Sequence, residues 1–438
     1  MSPAADLLIE PQWLIPVEPP GVVLEDHAVA VAGGRIVDVL TVQEARVRYQ
    51  PSRRMALPQQ ALIPGLVNLH THAAMALLRG IADDLPLMDW LKTRIWPSEA
   101  KHVSAAFVRD GTLLACAEML RGGITCFSDM YFFPEAAAEA ALSLGMRAAL
   151  GIVVIEFPTA YATDADDYLS KGLATRDRLR GNPLLSFCLA PHAPYTVADR
   201  TFERIATLAA QLDLPVHIHI HETRGEIEES LADHGSRPLD RLQRLGLLGP
   251  GLIGVHAIHL DEREIALLAE NNCAVAHCPT SNMKLASGMA PIAEMSKRGV
   301  RIGLGTDGAA SNNRLDLFQE MRHAGLLAKV GSGDAAVLGA HELLRMATLN
   351  GAAALGLEDR IGSIVPGKAA DLCAIRLDTP ETRPCYDPAS HLVYAAGREQ
   401  VSHVWVDGVL RVENGQLLAC DTSGLLDAVN LWQNKLTV

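Results

Sequence analysis

The segment ALIPGLVNLHTHAAM, residues 61–75, joins a run of apolar residues to a pair of histidines. The apolar run is typical of a buried strand, and His70 and His72 stand at its end. Because alternate side chains of a strand lie on one face, both imidazoles are expected to point the same way. Converging neutral imidazoles commonly bind a metal ion, although a polar strand end that faces solvent would give the same pattern.

Further β-rich apolar runs follow along the chain, and helical stretches such as 105–120, 201–212 and 262–270 separate several of them. With the opening run they cover residues 62–69, 124–130, 147–156, 184–191, 215–221, 252–258, 273–278 and 300–306. This alternation indicates βα units on a parallel sheet and predicts an α/β protein with a (β/α)8 barrel. A doubly wound open sheet is the alternative, but no GxGxxG motif opens a helix after the first strand, which weakens its dinucleotide-binding version.

The two ends of the chain have a different pattern, with short strand-like runs and turns. Residues 28–32 and 35–39 flank Gly33-Gly34, which predicts a hairpin, and residues 370–375 and 403–408 are also strand-like. Neither end has many strands, and chain termini often lie close together. We therefore predict a small β-sandwich domain built from residues 1–60 and 360–438, and a catalytic barrel over residues 61–359.

The composition restricts the class of protein and of partner. The chain has 438 residues, of which 49% are hydrophobic and 20% charged, as in ordinary globular proteins. Its net charge of −13 and the lack of a Lys/Arg cluster argue against nucleic acid and favour a neutral or cationic small molecule. The cysteines lack CxxC spacing, and the N-terminal sequence lacks a signal-peptide pattern. No apolar run has transmembrane length, so we expect a cytoplasmic protein without a membrane partner.

Polar residues end most of the predicted strands. After the first pair of histidines come His192, the triplet His217, His219 and His221, then His256, His277 and Asp307. In a barrel the carboxyl ends of the strands share one mouth, where active sites lie. The sequence therefore predicts a metal site at this mouth.

Some of these residues have simpler explanations. Only one or two members of the histidine triplet can bind a single ion. Asp307 lies in the sequence GTDG, which alone indicates a turn. Glu222 and Glu99 could simply be acidic residues in the first turn of a helix, where the helix dipole stabilises a negative charge.

Together these motifs resemble the amidohydrolase superfamily, and within it the 5′-methylthioadenosine/S-adenosylhomocysteine deaminase group. The similar segments extend over nearly the whole chain. They include PGLVNLHTHAAMALLRGIADDLPLMDWL, GGITCFSDMYF, APHAPYT, HIHE, GVHAIHL, HCPTSNMKLASGMAP, LGTDGAASNN and IGSIVPGKAADL. Triazine hydrolases and guanine deaminases share most of these positions, so the motifs identify the superfamily more specifically than the group.

The resemblance implies one divalent metal ion per subunit, zinc or iron, bound by His70, His72, His219 and Asp307. His219 and Glu222 match the family's HxxE motif. The segment CLAPHAPY contains no lysine that could bridge a second metal ion, which favours a mononuclear site.

The resemblance also implies the reaction, a hydrolytic deamination of an adenine nucleoside that gives ammonia and an inosine-type product. A divalent cation lowers the pKa of a bound water, which attacks C6 of the ring. Glu222 is expected to protonate a ring nitrogen, Asp307 to carry the proton of the water to the leaving ammonia, and His256 to orient the water.

Four further residues are implied to contact the substrate. Glu99 matches a carboxylate that binds the ribose hydroxyls, which suits a group that only accepts hydrogen bonds. Trp90 and His192 match other pocket positions, and His277 is expected near the purine edge. The family also suggests a homo-oligomer.

One position departs from some relatives. Where they have an arginine that could bind a substrate carboxylate, this chain has Ile152. We therefore expect 5′-methylthioadenosine, and then adenosine, to be better substrates than S-adenosylhomocysteine.

Two other functions stay open at this point. The first is another reaction on the same metal, namely deamination of guanine or a triazine, or dechlorination. The second is a non-catalytic scaffold of the same fold. Such scaffolds typically lose metal ligands, whereas this chain keeps His70, His72, His219, His256 and Asp307.

Overall fold

Strands make up two sheets in the computed structural model, which describes residues 5–437 of the chain. In chain order they are β1 (Leu7–Leu14), β2 (Leu24–Glu25), β3 (His27–Ala32), β4 (Arg35–Thr41), β5 (Arg53–Pro64), β6 (Leu66–Thr71), β7 (Ile124–Asp129), β8 (Arg147–Val154), β9 (Leu185–Pro191), β10 (Val216–Ile220), β11 (Leu252–His256), β12 (Ala274–His277), β13 (Arg301–Leu304), β14 (Leu372–Arg376), β15 (Val401–Val406), β16 (Val409–Glu413) and β17 (Gln416–Leu417).

Helices connect most of the strands. They are α1 (Val42–Arg48), α2 (Leu87–Trp90), α3 (Trp96–His102), α4 (Ala105–Arg121), α5 (Pro134–Ser143), α6 (Ala165–Leu179), α7 (Asp199–Leu212), α8 (Arg224–His234), α9 (Pro238–Arg244), α10 (Glu262–Glu270), α11 (Pro279–Lys284), α12 (Ile292–Lys297), α13 (Ala309–Asn312), α14 (Leu317–Ser332), α15 (Ala340–Met346), α16 (Leu349–Ala354), α17 (Pro388–Tyr394) and α18 (Thr422–Thr437). Short 3₁₀ turns lie at Ala73–Leu78, Pro380–Thr382 and Arg398–Gln400, and a π-helical turn at Leu91–Ile95 joins α2 to α3. Side-chain caps mark where helices begin, as where Ser104 accepts a hydrogen bond from the backbone of Phe107 at the start of α4.

Strands β6 to β13 pair in parallel, each with its neighbour in the chain. The first and last of them meet at their carboxyl ends. There the backbone N–H of Asp307 donates to the carbonyl of His70 over 3.0 Å, and that of Thr306 donates to Oδ1 of Asn68 over 3.0 Å. Strands β7 and β8 are buried along their whole length, as expected for parallel strands that are covered on both faces.

The other strands form a mixed sheet in the order β17-β16-β15-β14-β5-β1-β3-β4, with β2 against β1. Strand β5 leads through Gly65 into β6 of the barrel. A Cβ atom at this glycine would lie 2.2 Å from Oγ1 of Thr125, so the junction has no room for a side chain. A buried ion pair also joins the two sheets, because the guanidinium of Arg147 at the start of β8 donates two hydrogen bonds of 3.0 Å to Asp371.

The predicted fold class is confirmed, with a parallel (β/α)8 barrel and a separate sheet built from strands near both ends of the chain. The doubly wound alternative is wrong, because the parallel strands follow one another in chain order and the last meets the first. The predicted boundaries at residues 60/61 and 359/360 stay predictions, and residues 1–4 and 438 lie outside the described residues. Within residues 5–437, no helix combines the length and the apolar character needed to cross a bilayer.

Candidate metal centre and active site

Three histidine side chains converge at the carboxyl ends of β6 and β10. The ligand atoms of His70, His72 and His219 all lie within 4.8 Å of one another. Asp307, which follows β13, places Oδ1 3.4 Å from Nε2 of both His70 and His72. Four side chains from three strands therefore face one point at the mouth of the barrel.

Two of these imidazoles are oriented through their second ring nitrogen. Nδ1 of His72 lies 2.6 Å from the carbonyl oxygen of Met130, and Nδ1 of His219 lies 2.7 Å from that of His192. A carbonyl oxygen only accepts hydrogen bonds, so both Nδ1 atoms carry the proton. Nε2 of each ring is then unprotonated and free to bind a metal ion, which is the usual arrangement around metal-binding histidines.

His70 has a similar arrangement deeper in the barrel. Its Nδ1 lies 3.0 Å from Nε2 of the buried His217, and its own buried Nε2 has no hydrogen-bond partner among the described residues. A buried polar nitrogen without a partner is costly unless a ligand binds it. Burial lowers the pKa of His70 to about 4 and that of His219 well below its usual range, so both rings are neutral, as metal binding requires. Three imidazole nitrogens and one carboxylate oxygen fit a divalent ion such as zinc or iron.

Three donors orient the carboxylate of Asp307. Its Oδ2 accepts hydrogen bonds from the hydroxyls of Ser281 at 2.6 Å and Ser311 at 2.8 Å, and its Oδ1 accepts one from the N–H of Gly308 at 2.7 Å. Burial would raise the pKa of Asp307, but its contact with His70 and the other imidazoles holds it well below its usual range. The group is therefore a carboxylate at neutral pH.

Glu222 and His256 lie beside the metal-binding side chains. Nε2 of His256 is 3.8 Å from Oε1 of Glu222, and its Nδ1 is 2.8 Å from Oδ1 of Asn282. Burial raises the pKa of Glu222, which suits a group that must hold a proton. Burial would lower the pKa of His256, but the carboxylates of Glu222 and Asp307 outweigh it and the net shift is upward. His256 and Asp307 also have positive φ angles of 68° and 60°, an uncommon conformation that clusters at functional sites.

A cavity of about 290 Å³ opens beside these residues. Besides the polar groups just described, much of its lining comes from the segment over residues 87–103, from the end of β8 and from the chain that follows β7 and β8. These residues include Trp90, Leu91, Ile95, Trp96, Glu99, Tyr131, Phe132, Val153, Ile155 and Phe157, and His192 lines the same cavity. Most of them are apolar, and no lysine or arginine of the described chain lines the cavity.

Glu99 is the acidic residue of the segment over residues 87–103 that lines the cavity. It lies in α3 and is partly buried, and its Oε1 accepts a hydrogen bond of 2.6 Å from the hydroxyl of Tyr131. Burial raises the pKa of Glu99 to about 7, against the opposing effect of this hydrogen bond. The structure thus brings Trp90, Glu99 and His192 to the same cavity as the metal-binding side chains.

Two expected positions lie elsewhere. His277 is buried at the end of β12 and lines a separate small cavity, so its expected contact with the purine edge has no support in this geometry. Ile152 packs against α6, where a Cβ atom at Gly172 would lie 2.2 Å from its Cγ2. Because alternate residues of a strand face opposite sides, Val153 lines the cavity and position 152 does not. The side chain at position 152 therefore gives no support to the preference among substrates, which stays a prediction.

Four polar residues of the site were not assigned from the sequence, namely Tyr131, Ser281, Asn282 and Ser311. All four follow a barrel strand at its carboxyl end, and that position is the only signal that could have found them. In the histidine triplet, the structure also separates the roles. His219 joins the metal-binding group, His217 contacts His70, and Nε2 of His221 accepts a hydrogen bond from the backbone of Leu239.

The model of the amidohydrolase family matches residues 61–411. A protein of Teredinibacter turnerae named 5-methylthioadenosine/S-adenosylhomocysteine deaminase is 46% identical over 431 residues, which cover 98% of each chain. The structure of an adenosine deaminase from Xanthomonas campestris with bound zinc matches with a TM-score of 0.99 at 51% identity and covers 100% of each chain. Atrazine chlorohydrolase TrzN from Arthrobacter aurescens, complexed with zinc, has a TM-score of 0.90 at 26% identity, over 98% of this chain and 100% of that chain.

Proposed function

This chain belongs to the amidohydrolase family, and from that premise we propose that it deaminates an adenine nucleoside by hydrolysis, with 5′-methylthioadenosine as the preferred substrate. The observation that carries the proposal is the convergence of His70, His72, His219 and Asp307 next to a cavity that Glu222 also lines. The reaction forms a bond between the water oxygen and C6 of the ring and breaks the bond between C6 and the amino nitrogen. Its products are ammonia and the inosine-type nucleoside.

The site would hold one divalent metal ion, and the zinc bound in the structure of the Xanthomonas campestris protein supports zinc as that ion. Nε2 of His70, His72 and His219 and Oδ1 of Asp307 are the atoms that would hold it. When bound there, a zinc ion acidifies a water and so supplies a nucleophile at neutral pH.

Glu222 supplies the acid. An adenine ring resists attack at C6 until charge on its nitrogens is neutralised, and a carboxylic acid that protonates a ring nitrogen does this. Burial raises the pKa of Glu222, which favours its protonated form.

Asp307 and His256 act on the water and the leaving group. The carboxylate of Asp307 takes the proton of the attacking water and delivers it to the amino group as that group leaves as ammonia. Nε2 of His256 would donate a hydrogen bond to the oxygen of the attacking water and so orient it toward C6, while the electron pair of the C=N bond moves to the ring nitrogen that Glu222 protonates. The hydrogen bond between Nδ1 of His256 and Asn282 fixes the orientation of the ring. Nε2 of His256 therefore points toward Glu222 and the cavity.

The lining of the cavity selects the nucleoside. Glu99 accepts hydrogen bonds from the ribose hydroxyls, and Trp90 and His192 line the same space. S-adenosylhomocysteine carries an α-carboxylate, which would meet no lysine or arginine of the described lining. A carboxylate without a cationic partner is expensive to remove from water, so the neutral methylthio group of 5′-methylthioadenosine, and then the hydroxyl of adenosine, fit better.

The test is a measurement of ammonia release by the zinc-loaded protein from 5′-methylthioadenosine, adenosine, S-adenosylhomocysteine and guanine, with chloride release from a chlorotriazine beside it. We expect the highest kcat/KM for 5′-methylthioadenosine and little reaction with guanine or the triazine. Faster turnover of either of these two would contradict the proposal and favour the related ring hydrolases.

Metal binding is tested separately. The His219→Ala protein is expected to hold much less than one zinc ion per chain and to lose most of its activity, whereas replacement of the exposed His234 by alanine should change neither. Full activity in a chelator-treated protein without metal would refute the metal-dependent reaction.

A further inference from the structure

The phenol of Tyr131 and the carboxylate of Glu99 form a hydrogen-bonded pair inside the cavity. Tyr131 lies two residues after the end of β7, and its hydroxyl donates to Oε1 of Glu99 over 2.6 Å. The Tyr131 ring is only 5% exposed and lies edge-on to His72, with 6.4 Å between the ring centroids. The pair therefore links the segment that covers the cavity, to which Glu99 belongs, to the surroundings of the metal-binding side chains.

The hydrogen-bond capacity of this pair is only partly used. Tyr131 has one hydroxyl proton and donates it to Glu99, so its oxygen can only accept further hydrogen bonds. Within residues 5–437, no other group donates to this oxygen or to the Glu99 carboxylate. Oη of Tyr131 and Oε2 of Glu99 are thus two acceptors without a donor, carried by residues that both line the cavity.

A ribose presents two adjacent hydroxyl groups, each of which can donate one hydrogen bond. A carboxylate could accept both through its two oxygens, but here Oε1 of Glu99 already accepts the phenol, which leaves Oε2 as its oxygen without a donor. The chain neighbours of the pair that line the cavity, Ala100, Met130 and Phe132, are apolar and offer no side-chain acceptor.

We propose that Tyr131 determines specificity for the ribose together with Glu99, with one hydroxyl of the diol donating to Oε2 of Glu99 and the other to Oη of Tyr131. This inference rests on the proposed function, because it requires that the cavity binds a ribonucleoside. It assigns to Tyr131 a direct contact with the substrate, and not only the task of holding Glu99 in place.

The test compares Tyr131→Phe with the wild-type protein, both loaded with zinc, on adenosine, 2′-deoxyadenosine and 3′-deoxyadenosine. Loss of one neutral hydrogen bond lowers kcat/KM by about tenfold, and we expect this loss for adenosine. One of the two deoxynucleosides lacks the hydroxyl that meets the phenol, and for it the substitution should change kcat/KM by less than about twofold. Where a deoxynucleoside is not turned over, its inhibition constant against 5′-methylthioadenosine replaces kcat/KM.

Tyr195→Phe is the matched control, because Tyr195 lines the same cavity and its hydroxyl makes no contact with Glu99 in the described chain. It should leave the ratio between adenosine and the two deoxynucleosides unchanged. Glu99→Gln should also lower the preference for adenosine, and its effect should be less than additive with Tyr131→Phe because both residues act on one diol.

Zinc content and melting temperature are measured on every variant to detect a misfolded protein. If Tyr131→Phe lowers kcat/KM equally for all three nucleosides, the phenol only supports the site and the inference is refuted. If the wild-type protein deaminates none of them, and not 5′-methylthioadenosine either, the proposed function itself has failed.

Discussion

The hydroxyl of Ser281 donates to Oδ2 of Asp307 across 2.6 Å, and this contact turns the other oxygen of the carboxylate toward the imidazoles of the metal site. Ser281 belongs to the short helix α11, and within residues 5–437 its hydroxyl hydrogen-bonds to Asp307 and to none of the metal-binding histidines. Ser311 makes the same kind of bond at 2.8 Å from α13. Two hydroxyls from outside the barrel strands therefore fix the orientation of a residue that must both bind the metal and transfer a proton.

Replacement of Ser281 by alanine is expected to lower kcat/KM for 5′-methylthioadenosine by about 10- to 100-fold, with a parallel loss of zinc affinity, because groups that orient metal ligands have effects of this size. Steady-state kinetics and metal analysis measure the two effects. The exposed Ser423 provides the control, since Ser423→Ala should leave both quantities unchanged. An unaltered kcat/KM in Ser281→Ala would show that the metal alone holds Asp307 in place.

Helix α4 packs closely on the turn that follows His72. A Cβ atom at Gly111 would lie 2.3 Å from the carbonyl oxygen of Ala74, so Gly111→Ala must displace this turn. We expect a loss of about 1–3 kcal/mol in the free energy of unfolding and a lower kcat, since His72 moves with the turn. Urea unfolding measures the change in stability, and steady-state kinetics measure the change in kcat. Gly181→Ala is the control, because a Cβ atom at Gly181 would meet no other atom within 4 Å.

The pH dependence should reveal Glu99. Its pKa is raised to about 7 by burial, so Glu99 is protonated below this pH and becomes a carboxylate above it. The carboxylate is the better acceptor for ribose hydroxyls, and kcat/KM should therefore rise with pH, by up to about tenfold between pH 6 and pH 8. In Glu99→Gln this rise should disappear while any contribution from Glu222 remains. A profile that is identical in the two proteins would rule out Glu99 as its source.

The ion pair between Arg147 and Asp371 joins the barrel to the terminal sheet, with both side chains 2% exposed or less. Arg147→Met leaves a buried carboxylate without its partner, and we expect the free energy of unfolding to fall by about 3–5 kcal/mol. Urea unfolding of the zinc-loaded protein measures it. Arg109→Met at the half-exposed pair with Asp110 should change stability by less than about 0.5 kcal/mol. A similarly small change in Arg147→Met would mean that the strand pairing alone joins the two sheets.

The fold was predictable because two repeating features of the sequence have one physical cause. Parallel strands covered on both faces need continuous apolar runs, and the residues that follow them reach a common mouth. The apolar run before His70 and the histidines at 219 and 256 show both features, and the structure brings these side chains together. The sequence alone did not decide among the three histidines of the fifth strand, and the choice of His219 came from the resemblance.

The positions of two residues could not be predicted, for an equally specific reason. A shift of one residue along a strand turns a side chain to the other face, and no local pattern defined the face for Ile152 or the direction of His277. The contacts between Tyr131 and Glu99 and between Ser281 and Asp307 depend on how α3 and α11 pack over the barrel. Such packing joins residues that are distant in the chain, and periodicity does not encode it.

Glu99 and Trp90 belong to the covering segment over residues 87–103, whereas the metal-binding histidines belong to the barrel strands. Mutations in the segment can change which molecule enters while the groups that break the C–N bond keep their positions. Such a division gives natural selection a short route to new catabolic enzymes. It also marks residues 87–103 as the part of the gene to randomise when a deaminase for a different ring is wanted.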